Sequence, residues 1–383
     1  MKIINNDLKR SFLQYKKNKK LKYIKLSWKY RIMIFLFFPI LFILPFLFIP
    51  NIFFIKRKKN NFVHILKYSN KNPYNIIYKE LKIFFEDKLK FIEYKTFYLP
   101  LVPKILIIDY YRILLFKPTF FLFNVDFFVF LVFKLFKYNY FIKFYNIEKL
   151  IVLQEYSFYM SYLTRIMEYE NKSLFNIMHG IPGKTYNSFR FTKCFIWGEY
   201  FKKIYLRYGA YKNQFVVSGS IYHNYLLKNY KNNNEQIDIV YIMAGKMNFY
   251  QEVIEVLEKL SIDFTIRIKQ HPRHYIKLDT FLIEDKRDII TIIDSSKIII
   301  GHYTTGIFDA YILNKKVISY MKGYEHFVEY MNYLSNKNIV YNKIDLEKLI
   351  NFQSNQKCLE LYNNDVIDSK INCFKTLKKE IFR

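Results

Sequence analysis

Residues 295–320 read SSKIIIGHYTTGIFDAYILNKKVISY and decide the fold of the C-terminal half. The apolar run from Lys297 to Ile300 predicts a short buried strand, and the turn GHYTTG follows it at 301–306. A helix is predicted from Gly306 to Leu313 and a second strand from Val317 to Tyr320. Because unpaired N–H groups and the helix macrodipole favour an anion at a helix N-terminus, this turn predicts a phosphate site.

A second strand end of the same kind lies upstream. Residues 264–269 predict a strand, and the polar stretch Gln270-His271-Pro272-Arg273-His274 follows it. Polar side chains at the carboxyl ends of neighbouring parallel strands converge on one crevice of an open α/β sheet. The two strand ends therefore predict a nucleotide-phosphate site, in which His271 and Arg273 hold the phosphate of a leaving nucleotide.

Several of these candidates also have a simpler structural explanation. His271-Pro272-Arg273 is compatible with a plain turn after a strand, and one threonine hydroxyl of the 301–306 turn is enough to cap a helix. Asp309 either binds a ribose hydroxyl or complements the helix dipole. The strand predicted at 237–243 ends at Gly245 and Lys246, which are expected to close the nucleotide site. The candidate nucleotide-binding residues are Gly245, Lys246, Arg273, His302, Thr304, Thr305 and Asp309.

Composition limits the functional classes. The chain has 383 residues, 40 Phe, 36 Tyr and a net charge of +29. The favoured residues have A/T-rich codons, so genomic bias explains part of the charge, and we do not treat the charge as evidence for nucleic acid. All nine glycines fall between Gly180 and Gly323, so the unusual turns are expected in that window. The three cysteines, Cys194, Cys358 and Cys373, are far apart and predict neither a disulfide framework nor a zinc site.

The N-terminus has a basic and then an apolar segment. Residues 1–31 carry eleven Lys or Arg and one acid, Asp7, and residues 32–55 are apolar apart from Asn51 and three prolines. About 20 apolar residues suffice to cross a bilayer core, but prolines disrupt a straight helix. We expect 32–55 to be an interfacial or re-entrant anchor at the cytoplasmic face, or a true span, with a buried hairpin as the alternative.

Strands alternate with helices in both halves of the chain. This pattern predicts an α/β protein with two Rossmann-like domains that face each other across a cleft. Short apolar runs at 104–109 and 149–154 predict strands, as does 289–293, and the apolar stretch 118–136 predicts a buried or membrane-facing helix. The asparagine-rich stretch 230–235 marks the boundary. The predicted segments are a membrane-associating segment at 1–60, an acceptor domain at 61–233, a nucleotide-donor domain at 234–344 and C-terminal helices at 345–383 that pack back across the cleft.

A histidine follows the strand predicted at 173–178. The stretch from His179 to Lys184 reads HGIPGK, and a Walker A loop is excluded because the required glycine is replaced by Met178. With an unperturbed pKa of ~6.5, a histidine can deprotonate a hydroxyl near neutrality. Asp109 and Glu155 also end predicted strands and are alternative bases. The chain contains neither an Asp-x-Asp nor a GxGxxG motif, which disfavours a metal-dependent nucleotide-sugar site and a dinucleotide oxidoreductase.

At these residues the chain resembles the GT-B glycosyltransferases that build bacterial surface polymers. The stretch from His179 to Lys184 is similar to the HGTPLK-type segment of CDP-glycerol glycerophosphotransferases, whose histidine is regarded as the base. Residues 219–224 lie where that group has a GYPRND-like segment, although the arginine and aspartate are missing here. His271-Pro272 resembles the HP motif of sialyl- and polysialyltransferases, and 303–309 resembles a paired-hydroxyl segment of both groups. The acidic base motif of the sialyltransferases is absent, which favours His179.

The resemblance implies a metal-independent, inverting glycosyltransferase that needs no cofactor and works at the cytoplasmic face of the bacterial inner membrane. It would transfer a sugar from a nucleotide-activated donor to a hydroxyl of a capsule or lipooligosaccharide glycan, beside anionic lipid. Both groups use cytidine donors, and the wider fold also uses uridine donors. His179 and His271 are the catalytic candidates, and Asp109, Glu155 and Lys184 the acceptor-side ones. The alternatives are a CDP-glycerol glycerophosphotransferase and a non-catalytic basic protein that binds membrane or nucleic acid.

Overall fold

The computed structural model describes two compact units, Met1–Gly219 with Lys370–Arg383, and Ser220–Ser369. The residues that it describes are 62–67, 73–93, 127, 131, 135, 138–143, 145–153, 160–181, 191–207, 210–230, 236–243, 249–271, 277, 280–325, 334, 336–354 and 372–382. The predicted membrane-associating segment and the strand predicted at 104–109 lie outside these residues. Within the described ranges, no helix has both the length and the apolar character needed to cross a membrane.

The first unit contains a parallel sheet with helices in its connections. Its strands are β1 (Val63–Lys67), β2 (Leu89–Glu93), β3 (Lys149–Val152), β4 (Ser173–Ile177), β5 (Lys193–Ile196) and β6 (Phe215–Val217). The order across the sheet is β2-β1-β3-β4-β5-β6, and all pairs are parallel. The helices are α1 (Tyr74–Phe85), α2 (Met160–Tyr169) and α3 (Glu199–Arg207).

Apolar residues on both faces bury this sheet. β1 and β4 are almost continuously buried, as expected for parallel strands covered on both sides. Phe127, Leu131 and Leu135 are helical, four residues apart and 0% exposed. Spacing of four places these side chains on one face of a helix. These three described positions within the apolar stretch 118–136 are therefore buried in the protein.

The second unit contains another parallel sheet, of order β12-β11-β10-β7-β8-β9. Its strands are β7 (Ile237–Ile242), β8 (Ile266–Lys269), β9 (Ile283–Glu284), β10 (Ser296–Gly301), β11 (Lys316–Tyr320) and β12 (Ile339–Val340). Its helices are α4 (Ile221–Asn229), α5 (Tyr250–Leu260), α6 (Ile289–Asp294), α7 (Thr305–Ile312) and α8 (Lys343–Ser354). The strand, turn, helix and strand predicted in 295–320 are confirmed.

Helices cover both faces of the second sheet. Tyr241 and Ile239 of β7 share one buried cluster with side chains of α5 and α8. Ile242 of the same strand lies against Gly306 of α7, on the other face. This unit is therefore a doubly wound α/β layer, in which the carboxyl ends of the parallel strands lie at one edge.

The prediction of a strand at 289–293 is wrong, because this stretch forms helix α6. A run of four isoleucines and one threonine has high strand propensity. Asp288 reverses that preference by capping the helix, since its carboxylate accepts a hydrogen bond from the backbone N–H of Ile290 at 3.1 Å. Burial of Ile290 and Ile293 then holds the helix in place.

The C-terminal residues divide between the two units. α8 packs on α5 in the second unit, whereas α9 (Cys373–Phe382) belongs to the first. Phe374 of α9 stacks on Phe84 with ring centroids 4.7 Å apart. The ammonium of Lys149 donates a hydrogen bond to the carbonyl of Ile381 at 2.6 Å. The unit boundary lies at Gly219 and Ser220, earlier than the asparagine-rich stretch at 230–235.

Candidate functional site

The carboxyl ends of three neighbouring strands form the edge that carries the predicted phosphate site. Gly301 of β10 pairs with Ile242 of β7, and Ile242 pairs with Lys269 of β8. These three residues form one row across the sheet, about 10 Å wide at the usual strand spacing. His271 lies two residues after this row, beyond the end of β8, and Thr304 lies three residues after it, beyond the end of β10. The topology therefore brings both predicted phosphate-binding segments to the same edge.

The turn between β10 and α7 is partly exposed. Tyr303, Thr304 and Thr305 are half-buried, in contrast to the buried residues on either side. Thr304 is the N-cap residue of α7 with extended backbone, φ −148° and ψ 151°, and its side chain makes no capping hydrogen bond. The Thr304 hydroxyl therefore does not cap the helix, and capping does not explain this residue. The first turn of α7 is closed instead by Ile307 N–H donating to the Thr304 carbonyl at 3.1 Å.

Close packing sets the position of α7 on this edge. A Cβ at Gly301 would lie 2.8 Å from Cδ1 of Ile307 and 3.1 Å from the carbonyl oxygen of Ile242. A Cβ at Gly306 would lie 3.4 Å from the Ile242 side chain. Glycine at Gly301 thus lets the helix begin directly against the strand ends, which is the role of glycine where a helix packs tightly on a strand.

His302, a predicted phosphate contact, lies inside the unit. Its side chain is 0% exposed and its Nε2 is 2.8 Å from the Tyr241 hydroxyl. The rings of Tyr320 and Tyr324 lie 5.9 and 5.6 Å from the imidazole. Burial lowers the pKa of His302 to about 4, and the backbone of Tyr320 opposes this shift. The imidazole is therefore neutral at pH 7 and is buried beneath the turn.

Asp309 is also buried and bonded within the unit. Its Oδ1 lies 3.0 Å from Nε2 of His223 on α4, and its exposed fraction is 5%. Nδ1 of His223 lies 2.8 Å from Oγ of Ser220. Burial raises the pKa of Asp309, whereas the hydrogen bonds from His223 and Tyr222 lower it. The Asp309 carboxylate contacts α4. This geometry directly supports neither the binding of a ribose hydroxyl nor an interaction with the helix dipole.

The strand end at β8 combines a half-buried histidine with side chains that stabilise the edge. His271 is half-buried, and Gln270 before it is buried. The Lys269 ammonium donates to the carbonyls of Asp285 and Arg287, at 3.1 and 2.5 Å. Arg287 forms a bidentate pair with Asp285, in which Nε donates to Oδ1 and Nη2 to Oδ2, and this pair lowers the pKa of the Asp285 carboxyl. Lys269 therefore fixes the loop after β9.

His179 lies at the carboxyl end of β4 in the first unit and is 8% exposed. The ring of Tyr74, at the start of α1, lies 4.7 Å from the imidazole at an angle of 31°. The indole N–H of Trp197 donates to the carbonyl of Met178 at 3.0 Å and so fixes the residue before His179. No motif singles out Tyr74 among the 36 tyrosines, and its contact with His179 depends on strand order.

Six candidate residues lie outside the part of the chain that the structure describes, and their roles stay predictions. They are Asp109, Glu155, Lys184, Gly245, Lys246 and Arg273.

Comparison with known proteins gives similarity in structure alone. No protein-family model and no curated protein sequence matches the chain. The wall teichoic acid polymerase TagF aligns with a TM-score of 0.50 and 11% identity over 94% of this chain and 97% of that chain. A variant of TagF soaked with CDPG gives a TM-score of 0.51 with the same identity and coverage.

A further similar structure comes from Listeria monocytogenes and is assigned as a UDP-N-acetylglucosamine 2-epimerase. It aligns with a TM-score of 0.51 and 11% identity, over 83% of this chain and 95% of that chain. At this level of identity the similarity concerns the fold. The two parallel α/β units and these structural neighbours give the chain a GT-B fold.

Proposed function

We propose that the chain is a glycosyltransferase that binds a nucleotide-activated donor at the carboxyl edge of the second sheet. The observation that carries this proposal is the row formed by Gly301, Ile242 and Lys269, which places His271 and the Thr304 turn on one edge. Ligands of open α/β sheets bind outside the carboxyl ends of the strands. The N-terminus of α7 adds unpaired N–H groups and a positive dipole end, which favour a phosphate.

The donor site would act on the leaving group. Negative charge builds on the departing phosphate as the bond breaks, so donors already in place there lower the barrier. We assign this role to His271, Arg273, Thr304 and Thr305, with Gly245 and Lys246 closing the site. His302 and Asp309 would stabilise the turn from inside the second unit, because both are buried and hydrogen-bonded to other side chains.

The first unit would supply the base. We assign His179 to take the proton from the acceptor hydroxyl, which then attacks the activated carbon of the donor. Tyr74 would hold the imidazole plane through their ring contact. Asp109 and Glu155 remain alternative bases, and Lys184 an acceptor-side candidate.

The donor and acceptor are proposed from the resemblance and the neighbours. We favour a cytidine donor, because the sialyltransferase-like and glycerophosphotransferase-like segments both come from cytidine-using groups. The acceptor would be a capsule or lipooligosaccharide glycan, and the reaction metal-independent and inverting. The likeness to TagF supports a second candidate, transfer of glycerol phosphate from CDP-glycerol, in which the hydroxyl attacks phosphorus.

The proposed place of work is the cytoplasmic face of the inner membrane. Residues 32–55, flanked by cations on both sides, would provide the anchor, and anionic headgroups would attract the basic residues before it. A membrane location suits an enzyme whose acceptor is a growing surface glycan.

Release of the nucleotide tests the proposed function. The purified chain is incubated with CMP-sialic acid, CDP-glycerol and UDP-N-acetylglucosamine, with and without glycan acceptors, and free CMP, CDP or UDP is measured. We expect one donor to release its nucleotide, and we expect the release to require His271 and His179. CMP release from CDP-glycerol selects the glycerophosphotransferase. Absence of release with every donor, combined with salt-sensitive binding to single-stranded nucleic acid, would support the non-catalytic alternative.

A further inference from the structure

We propose that Ser220, His223 and Asp309 are positioning residues that fix the first turn of α7 for the phosphate. This inference rests on the proposed function, since it concerns the same phosphate site. It assigns a role to His223 and Ser220, which lie in the 219–224 segment and had no role assigned to them from the resemblance.

The three side chains form a continuous buried connection between α4 and α7. Nδ1 of His223 lies 2.8 Å from Ser220 Oγ, and Nε2 lies 3.0 Å from Asp309 Oδ1. Ser220 is the N-cap of α4, and its Oγ also accepts the backbone N–H of His223 at 3.2 Å. Both ring nitrogens of His223 are therefore engaged, and the imidazole has one orientation.

α4 contacts α7 at two further points. The ring of His223 meets the Phe308 ring edge to face, with centroids 5.2 Å apart at 79°. Tyr222, next to His223, interacts with the Asp309 carboxyl group and opposes the rise in its pKa that burial causes. The Asp309 carboxyl group on α7 thus interacts with two neighbouring side chains of α4. Rotation or sliding of α7 would break both contacts.

The position of Asp309 makes this connection relevant to the turn. Asp309 lies four residues, about one helical turn, after Thr305, the first residue of α7. The unpaired N–H groups that would face a phosphate lie in that first turn. Fixing Asp309 against α4 therefore fixes the direction of those groups and of the Thr304 backbone.

A nucleophilic role for the same three residues does not fit. Ser, His and Asp in this order of contacts are also the arrangement of a hydrolase triad. Ser220 is 2% exposed and His223 0% exposed, and Ser220 Oγ already accepts a backbone N–H. A substrate has no access to that hydroxyl, so we assign positioning and no covalent step.

Two variants separate positioning from direct contact. His223→Phe keeps an aromatic ring beside Phe308 and removes both hydrogen bonds. Asp309→Asn keeps an oxygen that can accept from His223 and removes the charge. Leu346→Ala, in α8, serves as the control, because it removes a fully buried side chain remote in sequence from both helices. The three proteins are compared with wild type at conditions of equal global stability.

Amide hydrogen exchange of residues 304–308 and affinity for CMP and CDP are measured in parallel. We expect His223→Phe to speed exchange in that stretch by about tenfold and to weaken the nucleotide by a similar factor, as expected for loss of a buried hydrogen bond. We expect Asp309→Asn to fall between wild type and His223→Phe in both local exchange and affinity, and Leu346→Ala to leave both close to wild type.

The outcomes separate this inference from the proposed function. Unchanged exchange at 304–308 in His223→Phe overturns positioning, as does an equal increase in Leu346→Ala. Loss of affinity in Asp309→Asn without faster exchange indicates direct contact with the ligand and also overturns it. If wild type binds neither CMP nor CDP while His223→Phe still loosens 304–308, the phosphate part fails, and the connection between α4 and α7 stands as structural only.

Discussion

The Tyr241 hydroxyl lies 2.8 Å from Nε2 of His302 and joins the central strand β7 to the first residue after its neighbour β10. Both side chains are fully buried. Because burial disfavours the charged imidazole, the pKa of His302 falls to about 4. A residue that looked like a phosphate ligand in the sequence is thus a neutral part of the core.

This burial predicts a loss of stability in acid. Above pH 6.5 His302 is neutral in both the folded and the unfolded chain, so it makes no pH-dependent contribution there. Between pH 6.5 and about 4 only the unfolded chain takes the proton, so stability falls as the pH falls. The full shift corresponds to ~3 kcal/mol. Urea unfolding of the full chain between pH 7.5 and 4 measures it.

The control for this prediction removes the imidazole and its partner together. The double variant Tyr241→Phe with His302→Phe avoids an unpaired buried hydroxyl, and its stability should depend less on pH over the same interval. His64 in β1 also has a pKa lowered to about 4 by burial and by the charges of Lys90 and Lys172, so the double variant keeps this second contribution to the acid dependence. An acid dependence that is unchanged in the double variant contradicts the assignment.

Gly301→Ala tests how closely α7 packs against the strand ends, and Gly180→Ala is its control. A Cβ at Gly301 would meet Ile307 at 2.8 Å and the carbonyl oxygen of Ile242 at 3.1 Å, whereas a Cβ at Gly180 meets nothing within 4 Å. We expect Gly301→Ala to lower the free energy of unfolding by about 1–3 kcal/mol. Gly180→Ala should change it by less than about 0.5 kcal/mol. Denaturant unfolding gives both values.

Removing the closer contact, between the new Cβ at Gly301 and Ile307, should recover part of the lost free energy of unfolding. Ile307→Val deletes Cδ1, so the double variant Gly301→Ala with Ile307→Val is expected to lie between Gly301→Ala and Ile307→Val in stability. The backbone contact with Ile242 cannot be relieved in this way. Equal stability of Gly301→Ala and Gly180→Ala would show that the turn tolerates a side chain at Gly301.

Tyr74 and His179 test the proposed base. We expect His179→Gln to lower the rate of transfer by about 100-fold or more, since general base catalysis contributes about that much. Tyr74→Leu should lower it less, because it removes the ring contact and keeps the imidazole. Tyr74→Phe keeps the ring and should be close to wild type. Steady-state assays of transfer give these rates, and an active His179→Gln would transfer the role to Asp109 or Glu155.

The local fold could be predicted from sequence where apolar runs end in polar residues. β8, β10, α7 and β11 follow that pattern, and their predicted bounds lie within about two residues of the observed ones. α6 could not be predicted in this way, because its isoleucines favour a strand whereas the Asp288 cap favours a helix. Local propensity carries no information about burial, and burial decides whether a stretch such as α6 forms a strand or a helix.

The candidate site was predictable only in part, because its supporting contacts join distant residues. His271 and Thr304 could be selected as polar residues at strand ends. Tyr241 is 61 residues from His302, and His223 is 86 residues from Asp309. Pairing at such distances depends on sheet order and helix packing, which a single sequence does not specify. The burial of His302 and Asp309 could therefore be found only in the structure.

Thermal unfolding in the presence of CMP, CDP, UDP and GDP tests most directly whether the edge formed by β10, β7 and β8 binds a nucleotide. Wild type, His271→Ala and, as the control on the other unit, His179→Gln are compared at equal protein concentration. We expect at least one nucleotide to stabilise wild type, by about 2.7 kcal/mol at one hundred times its Kd. His179→Gln should respond equally and His271→Ala much less. A wild type that no nucleotide stabilises, or an undiminished response of His271→Ala, would contradict it.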